Sequence, residues 1–221
     1  MNAFTDPIFL FGMSHTMNTT EFSDYDAFVA ETAIFAADRG IQYCIIKLCG
    51  EVGEFADKLA SAPSIYSGVT DHFFLEDLDD ATRDGLILEL GDIMWYVTAL
   101  SQQLGYNLTL LQAIRPKVTG TLPDGFRVLT LTLRMTASAG FIAERSGKVI
   151  RDHNGDGTNV SYNNRPDFNK ATMMDLSNLH NRLKLLSRLL GSSLESVVAK
   201  NIKKLKSRRE RGVLNGSGDN R

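Results

Sequence analysis

The chain has 221 residues, of which 43% are hydrophobic and 23% charged, with a formal net charge of −2. That is the composition of an ordinary soluble globular protein, long enough for one domain or two small ones. No apolar run approaches membrane-spanning length and no basic leader precedes an apolar segment, so the reading is soluble, cytoplasmic and without a membrane partner. Net charge alone names no partner, but its distribution is uneven: residues 200–211 are strongly basic and residues 71–84 acidic. Cys44 and Cys49 fit no metal-type spacing and read as a reduced, buried pair.

In chain order, residues 1–23 lack periodicity and read as an arm. Ser23 as a cap, with Asp26 three residues on and then Phe28, Val29, Ala33 and Ile34, predicts a helix that Arg39-Gly40 ends. A second helix is expected from Ile41 to about Leu59, stopped at Ala62-Pro63, with a loop from Ser64 to Asp80. A third runs from near Asp80 to Leu104, with Gly105 in the slot just past its end. Leu108, Leu111 and Ile114 continue as a short helix that stops at Arg115-Pro116, and residues 119–125 are a turn-rich connector.

The two long helices each carry an acid, an apolar residue, a glycine and an acid: Glu51-Val52-Gly53-Glu54 and Glu89-Leu90-Gly91-Asp92. Acids three apart share a helix face, so two facing helices would gather all four carboxylates. Four converging charges need protons or a cation to offset them. An oxygen-rich, histidine-free set of Glu51, Glu54, Glu89 and Asp92 suits a hard cation, Mg²⁺ or also Mn²⁺, which commonly brings a phosphorylated substrate. A helical glycine costs roughly 1 kcal/mol relative to alanine. Its recurrence in the same slot therefore predicts a close approach to the backbone at both places.

After the connector the first half is echoed. Ala139 to Glu144 aligns with Cys49 to Glu54, Asp175 to Asn178 with Glu89 to Asp92, and Leu186 to Gly191 with Leu100 to Gly105. A repeat of this length predicts two tandem helical units packed as a pseudo-dimer, an all-α helical bundle with a first unit at 24–118 and a second at 119–221. Chance alignment of amphipathic helices is the alternative. In the second unit Phe141 answers Glu51, Asp175 answers Glu89 and Asn178 answers Asp92, so one intact acid set per chain is expected.

Gly50-Glu51-Val52-Gly53-Glu54 followed by Glu89-Leu90-Gly91-Asp92-Ile93-Met94-Trp95-Tyr96 resembles the ExxE…ExxD signature of MazG-like, all-α nucleoside triphosphate pyrophosphohydrolases. Asn201-Ile202-Lys203-Lys204-Leu205, Arg208, Arg211-Gly212 and the Gly216-to-Arg221 tail resemble the family's C-terminal segment, and Lys148-Val149-Ile150-Arg151-Asp152 the segment that ordinarily follows the first acid pair. The resemblance implies a helical bundle of the MazG type that hydrolyses (deoxy)nucleoside triphosphates to monophosphate and pyrophosphate with Mg²⁺. It also implies Glu51 or Glu54 as the catalytic proton acceptor. Lys148, Arg151, Asn201, Lys204, Arg208 and Arg211 are then expected on the phosphates, and the Gly216-Ser217-Gly218 tail over them. The family usually works as tight oligomers, so a homo-oligomer is a further expectation. The resemblance implies one family site divided between the units, with metal from the first and phosphate contacts from the second. Trp95 and Tyr96 sit one turn past Asp92 and read either as core or as the border of a base pocket.

Other readings fare worse or stay beside this one. A di-iron bundle needs Glu-x-x-His, and His15, His72, His153 and His180 all lack an acid three positions before. Asp152-His153-Asn154-Gly155-Asp156-Gly157 imitates a calcium loop but has Asn163 where a bidentate Glu is required. The basic run could neutralise nucleic-acid phosphates, although its regular spacing fits a nucleotide better. A non-catalytic nucleotide- or nucleic-acid-binding protein, or a dUTPase-like enzyme, are the functional alternatives.

Overall fold

The computed structural model describes residues 19–62, 78–114, 124–152, 162 and 165–214, the side chains of 19–22 and 124–126 excepted. Within them the protein is an all-α helical bundle: α1 (Thr19–Thr32), α2 (Gly40–Ala60), α3 (Asp80–Gln103), α4 (Leu108–Ala113), α5 (Asp124–Asp152), α6 (Pro166–Leu189) and α7 (Leu194–Glu210). Most of the expected arm, the loop after Pro63, residues 119–123 of the connector, the aspartate-rich turn from 153 and the tail from 215 lie outside the described residues.

α3 is the axis of the bundle and packs against α1, α2, α6 and α7. It buries Leu86, Leu90, Ile93, Met94, Val97 and Leu100 on more than one side, as a helix must when neighbours cover it all round. α2 is amphipathic and lays Cys44, Ile45, Leu48, Val52, Phe55 and Leu59 against the core. The two run antiparallel. The start of α2 meets the end of α3, where a Cβ on Gly40 would collide with the Gln103 side chain; the end of α2 meets early α3, where Lys58 reaches Glu89. Gly40, expected to stop a helix, is instead the buried first residue of α2.

α1 ends at Thr32, seven residues sooner than expected, and a 3₁₀ turn (Ala37–Arg39) follows. Leaving the helix there lets Phe35 set its ring edge-on to Trp95 at 6.4 Å. Asp26 ties α1 to the α3–α4 turn, accepting from Leu108 N at 3.2 Å and from Gln102 Nε2 at 3.2 Å.

Three helices finish on a left-handed glycine: Gly105 (φ 81°), Gly191 (φ 73°) and Gly212 (φ 68°). Each closes with paired backbone bonds, for example Tyr106 N to Ser101 O at 2.9 Å and Ser192 N to Ser187 O at 2.8 Å, which satisfies carbonyls the helix leaves open. The next helices start on side-chain caps, Asn107 and Ser193. Matched repeat positions thus share local geometry. Cys49 Sγ also donates to Ala139 O at 3.5 Å, joining α2 to α5. No helix among the described residues is long and apolar enough to cross a membrane.

Candidate metal centre and adjoining cavity

Because α2 and α3 face each other, their acids meet. One carboxylate oxygen each from Glu51, Glu54 and Glu89 lies within 4.8 Å of the other two. In octahedral Mg²⁺ coordination neighbouring oxygens stand about 3.0 Å apart and opposite ones about 4.2 Å, and of three ligands only one pair can be opposite, so the trio closes by up to about 1.8 Å to share one ion. An oxygen-only donor set of three carboxylates fits a hard divalent cation. Glu51 and Glu89 are buried, and Glu54 is exposed.

Buried carboxylates demand compensation, and lysines provide it. Lys47 Nζ lies 2.9 Å from Glu51 Oε1, one helical turn away. Lys58 Nζ crosses from α2 to Glu89 Oε1 at 2.6 Å. Burial pushes the Glu51 carboxyl up, the Lys47 hydrogen bond pulls it back, and the charges of Asp92 and Glu54 push it further. Burial alone would lower Lys47, but the bond to Glu51 prevails and the ammonium is raised.

Asp92, the fourth expected ligand, stands apart from the trio. It lines a cavity with Glu51, yet its Oδ1 accepts from Asn201 Nδ2 at 3.0 Å and its Oδ2 from Lys204 Nζ. Both partners come from α7. Asn201 is 1% exposed and its Oδ1 accepts from the buried Tyr25 hydroxyl at 3.1 Å. It is therefore a bridge inside the protein, not a group facing a phosphate. The Tyr25 phenol is held well above its usual range, first by burial and then by the charges of Asp92 and Asp26. The glycine expectation also splits. A Cβ on Gly91 would lie 3.1 Å from Asn201 Cβ and 3.5 Å from Val197 O, so α7 is what approaches there; beside Gly53 the space is open.

On the Glu51–Asp92 side opens a cavity of about 200 Å³ walled by Phe35, Tyr43, Trp95 and Tyr96, with Lys47 and Arg208 at its edge. The rings pack in sequence: Phe35 to Tyr43 at 5.2 Å, Tyr43 to Tyr96 at 6.3 Å, Tyr96 to Trp95 at 4.8 Å. Trp95 is a core residue that also walls the cavity: it is 8% exposed and donates through Nε1 to Thr32 Oγ1 at 2.9 Å. On the Glu54–Glu89 side lies a separate depression with Asp57, Lys58, Ser61 and Thr82.

The remaining expected phosphate ligands scatter. Arg208 is buried and faces the cavity. Lys204 is committed to Asp92, and exposed Arg211 turns back to Ser207 O at 3.3 Å. Lys148 and Arg151 are set away from the acids. Lys148 pairs with Glu144 at 2.7 Å and borders another depression with Arg145 and Phe168; Arg151 pairs with its neighbour Asp152 at 2.9 Å. α5 continues straight through both residues to Asp152, carrying them along an exposed face. Lys47, Lys58, Phe35 and Tyr43 are site residues that sequence reasoning missed. Lys47, four before Glu51, and Lys58, four after Glu54, leave a signal in the spacing, although the one for Lys58 points to the wrong acid.

Fold and site together define an all-α protein with a three-carboxylate centre beside an aromatic cavity. No family model and no solved structure matches the chain. It is 34% identical over 91 residues to the Gene 37 protein of Mycobacterium phage L5, an alignment that spans 41% of this chain and 74% of that protein. The chain belongs to the family of that phage protein, whose name states no activity.

Proposed function

We propose that this protein is a MazG-like pyrophosphohydrolase that cleaves (deoxy)nucleoside triphosphates to monophosphate and pyrophosphate with Mg²⁺. The observation that carries the reading is the meeting of Glu51, Glu54 and Glu89 from two helices, next to an aromatic cavity. Those three carboxylates would hold the cation, with Asp92 joining if Lys204 lets go. A divalent ion held there would supply neutralisation of phosphate charge and a more acidic water. Glu51, its carboxyl raised by burial, is suited to take that water's proton. Lys47 and Arg208 stand at the cavity edge to meet phosphate oxygens. At about 200 Å³ the cavity is smaller than the roughly 300–1,000 Å³ that encloses a whole ligand, and in this reading it takes the base, stacked on Trp95 or Tyr96.

One observation favours a second reading, a non-catalytic nucleotide-binding protein. Lys47, Lys58 and Lys204 each already neutralise one of the four acids, which leaves a single net negative charge to attract a cation.

A panel of (d)NTPs with Mg²⁺, scored for pyrophosphate against orthophosphate, separates the two. The enzyme releases pyrophosphate, and Glu54→Gln abolishes it. Glu54 is exposed, so that change shifts stability by no more than about 0.5 kcal/mol. Nucleotide binding without turnover in the parent chain would overturn the enzyme reading.

A further inference from the structure

Resting on the cation-site reading, we propose that Lys58 is a built-in counter-ion which an arriving divalent cation must displace, and that Gly85 is the notch that seats it. Lys58 follows Glu54 by four residues, a spacing that would pair the two along one face of α2. The lysine instead crosses to α3 and places Nζ 2.6 Å from Glu89 Oε1. The Glu89 side chain is only 3% exposed, so this ammonium compensates a carboxylate that water does not reach.

Gly85 lies one turn before Glu89, inside the second turn of α3, where glycine weakens a helix. A Cβ there would sit 3.1 Å from Lys58 Cδ, 3.6 Å from Nζ and 3.8 Å from Cε. The three side-chain atoms nearest that position all belong to Lys58. The lysine stem is therefore what the absent side chain makes room for. Gly85 and Lys58 act together, one leaving a gap in the helix surface and the other lying in it.

The consequence for a cation is direct. Glu89 cannot hold an ammonium at hydrogen-bond distance and join a divalent ion through the same carboxylate without setting like charges side by side. Lys58 has somewhere to go. It borders a depression of about 420 Å³ that Asp57, outside the acid trio, also lines, so it can exchange Glu89 for Asp57 as the ion enters. Lys58 thus sets how tightly the site holds metal, and keeps Glu89 neutralised until metal arrives.

The test is Mn²⁺ binding to the full-length protein, followed by the electron paramagnetic resonance signal of free Mn²⁺. Lys58→Met should lower the Kd by about ten-fold, since it removes a unit charge from the site. Gly85→Ala keeps every charge and crowds only the lysine stem, so it should tighten binding in the same direction by a smaller factor. Lys200→Met, which removes an exposed lysine paired with Asp84, should leave the Kd unchanged and controls for net charge. Equal or weaker binding in both Lys58→Met and Gly85→Ala, with the parent chain binding normally, overturns the displacement proposal alone. Absence of Mn²⁺ binding in the parent and all variants overturns the cation-site reading and this proposal with it.

Discussion

Replacing Asn201 by alanine distinguishes a substrate ligand from an internal bridge. Asn201 is 1% exposed, accepts the Tyr25 hydroxyl at 3.1 Å and donates to Asp92 Oδ1 at 3.0 Å. Truncation strands a buried phenol and one carboxylate oxygen, each worth roughly 1–3 kcal/mol when left unsatisfied. Asp92 keeps Lys204 on its other oxygen, so the lower half of the range applies to it. We expect a loss of about 2–5 kcal/mol, a fall in melting temperature of roughly 4–20 °C for a chain of this size. Urea unfolding at neutral pH without nucleotide or metal measures it. Tyr25→Phe should destabilise less, and the double variant should show a coupling of about 1 kcal/mol between the two residues. A residue that only touches substrate behaves otherwise, altering KM with the folding midpoint unmoved. A loss below about 0.5 kcal/mol for Asn201→Ala, within the range of ordinary surface substitutions, would refute the bridge.

The two glycines of the acid motifs should part company. Gly53→Ala, into open space on an exposed helix face, should stabilise by about 0.5–1 kcal/mol. Gly91→Ala, against Asn201 and the Val197 carbonyl, should destabilise; denaturant midpoints moving the same way for both would contradict this packing. His180 adds a pH dependence. Burial, with Lys184 nearby, lowers its pKa from 6.5 to about 4, so between those values the unfolded chain binds the extra proton. Its contribution is fully present above about pH 6.5 and is lost as pH falls through about 4, up to about 3 kcal/mol in all. Urea midpoints at pH 7.5 and pH 5 for the parent and His180→Leu report it, and identical pH slopes in the two chains would exclude the effect.

What the sequence made legible is what repeats along a single helix. The periodic apolar positions of α2 and α3 and the cap glycine Gly105 could be read directly, because a helix maps spacing onto a face. The same rule brought Glu51 and Glu54 together, and the guess that two such helices face each other brought Glu89 to them. Relations between helices were not legible. Spacing assigns Lys58 to Glu54, and only the crossing of α2 and α3 sends it to Glu89. The basic stripe of α7 looked like a phosphate grip, since arginine and lysine at helical intervals on a polar face normally project into water. Docking α7 onto α3 turns the first part of that stripe inward, so that Asn201 and Lys204 are used up on Asp92.

The same docking explains why Asp92 behaves unlike the other three acids. Glu51 and Glu89 are balanced by lysines carried on α2 itself, the helix that also supplies Glu51 and Glu54. Asp92 is balanced from a helix more than a hundred residues later, and its bridge Asn201 is fixed in turn by Tyr25 of α1. Its position therefore depends on both ends of the described chain meeting at α3, and that dependence is long-range. A truncation after the first unit would keep every acid and still lose the groups that place Asp92. Loss of turnover in such a fragment would then report a misplaced carboxylate as readily as missing phosphate contacts. Lys204→Met in the full chain tells the two apart, because it frees Asp92 while leaving Asn201 to hold it in place.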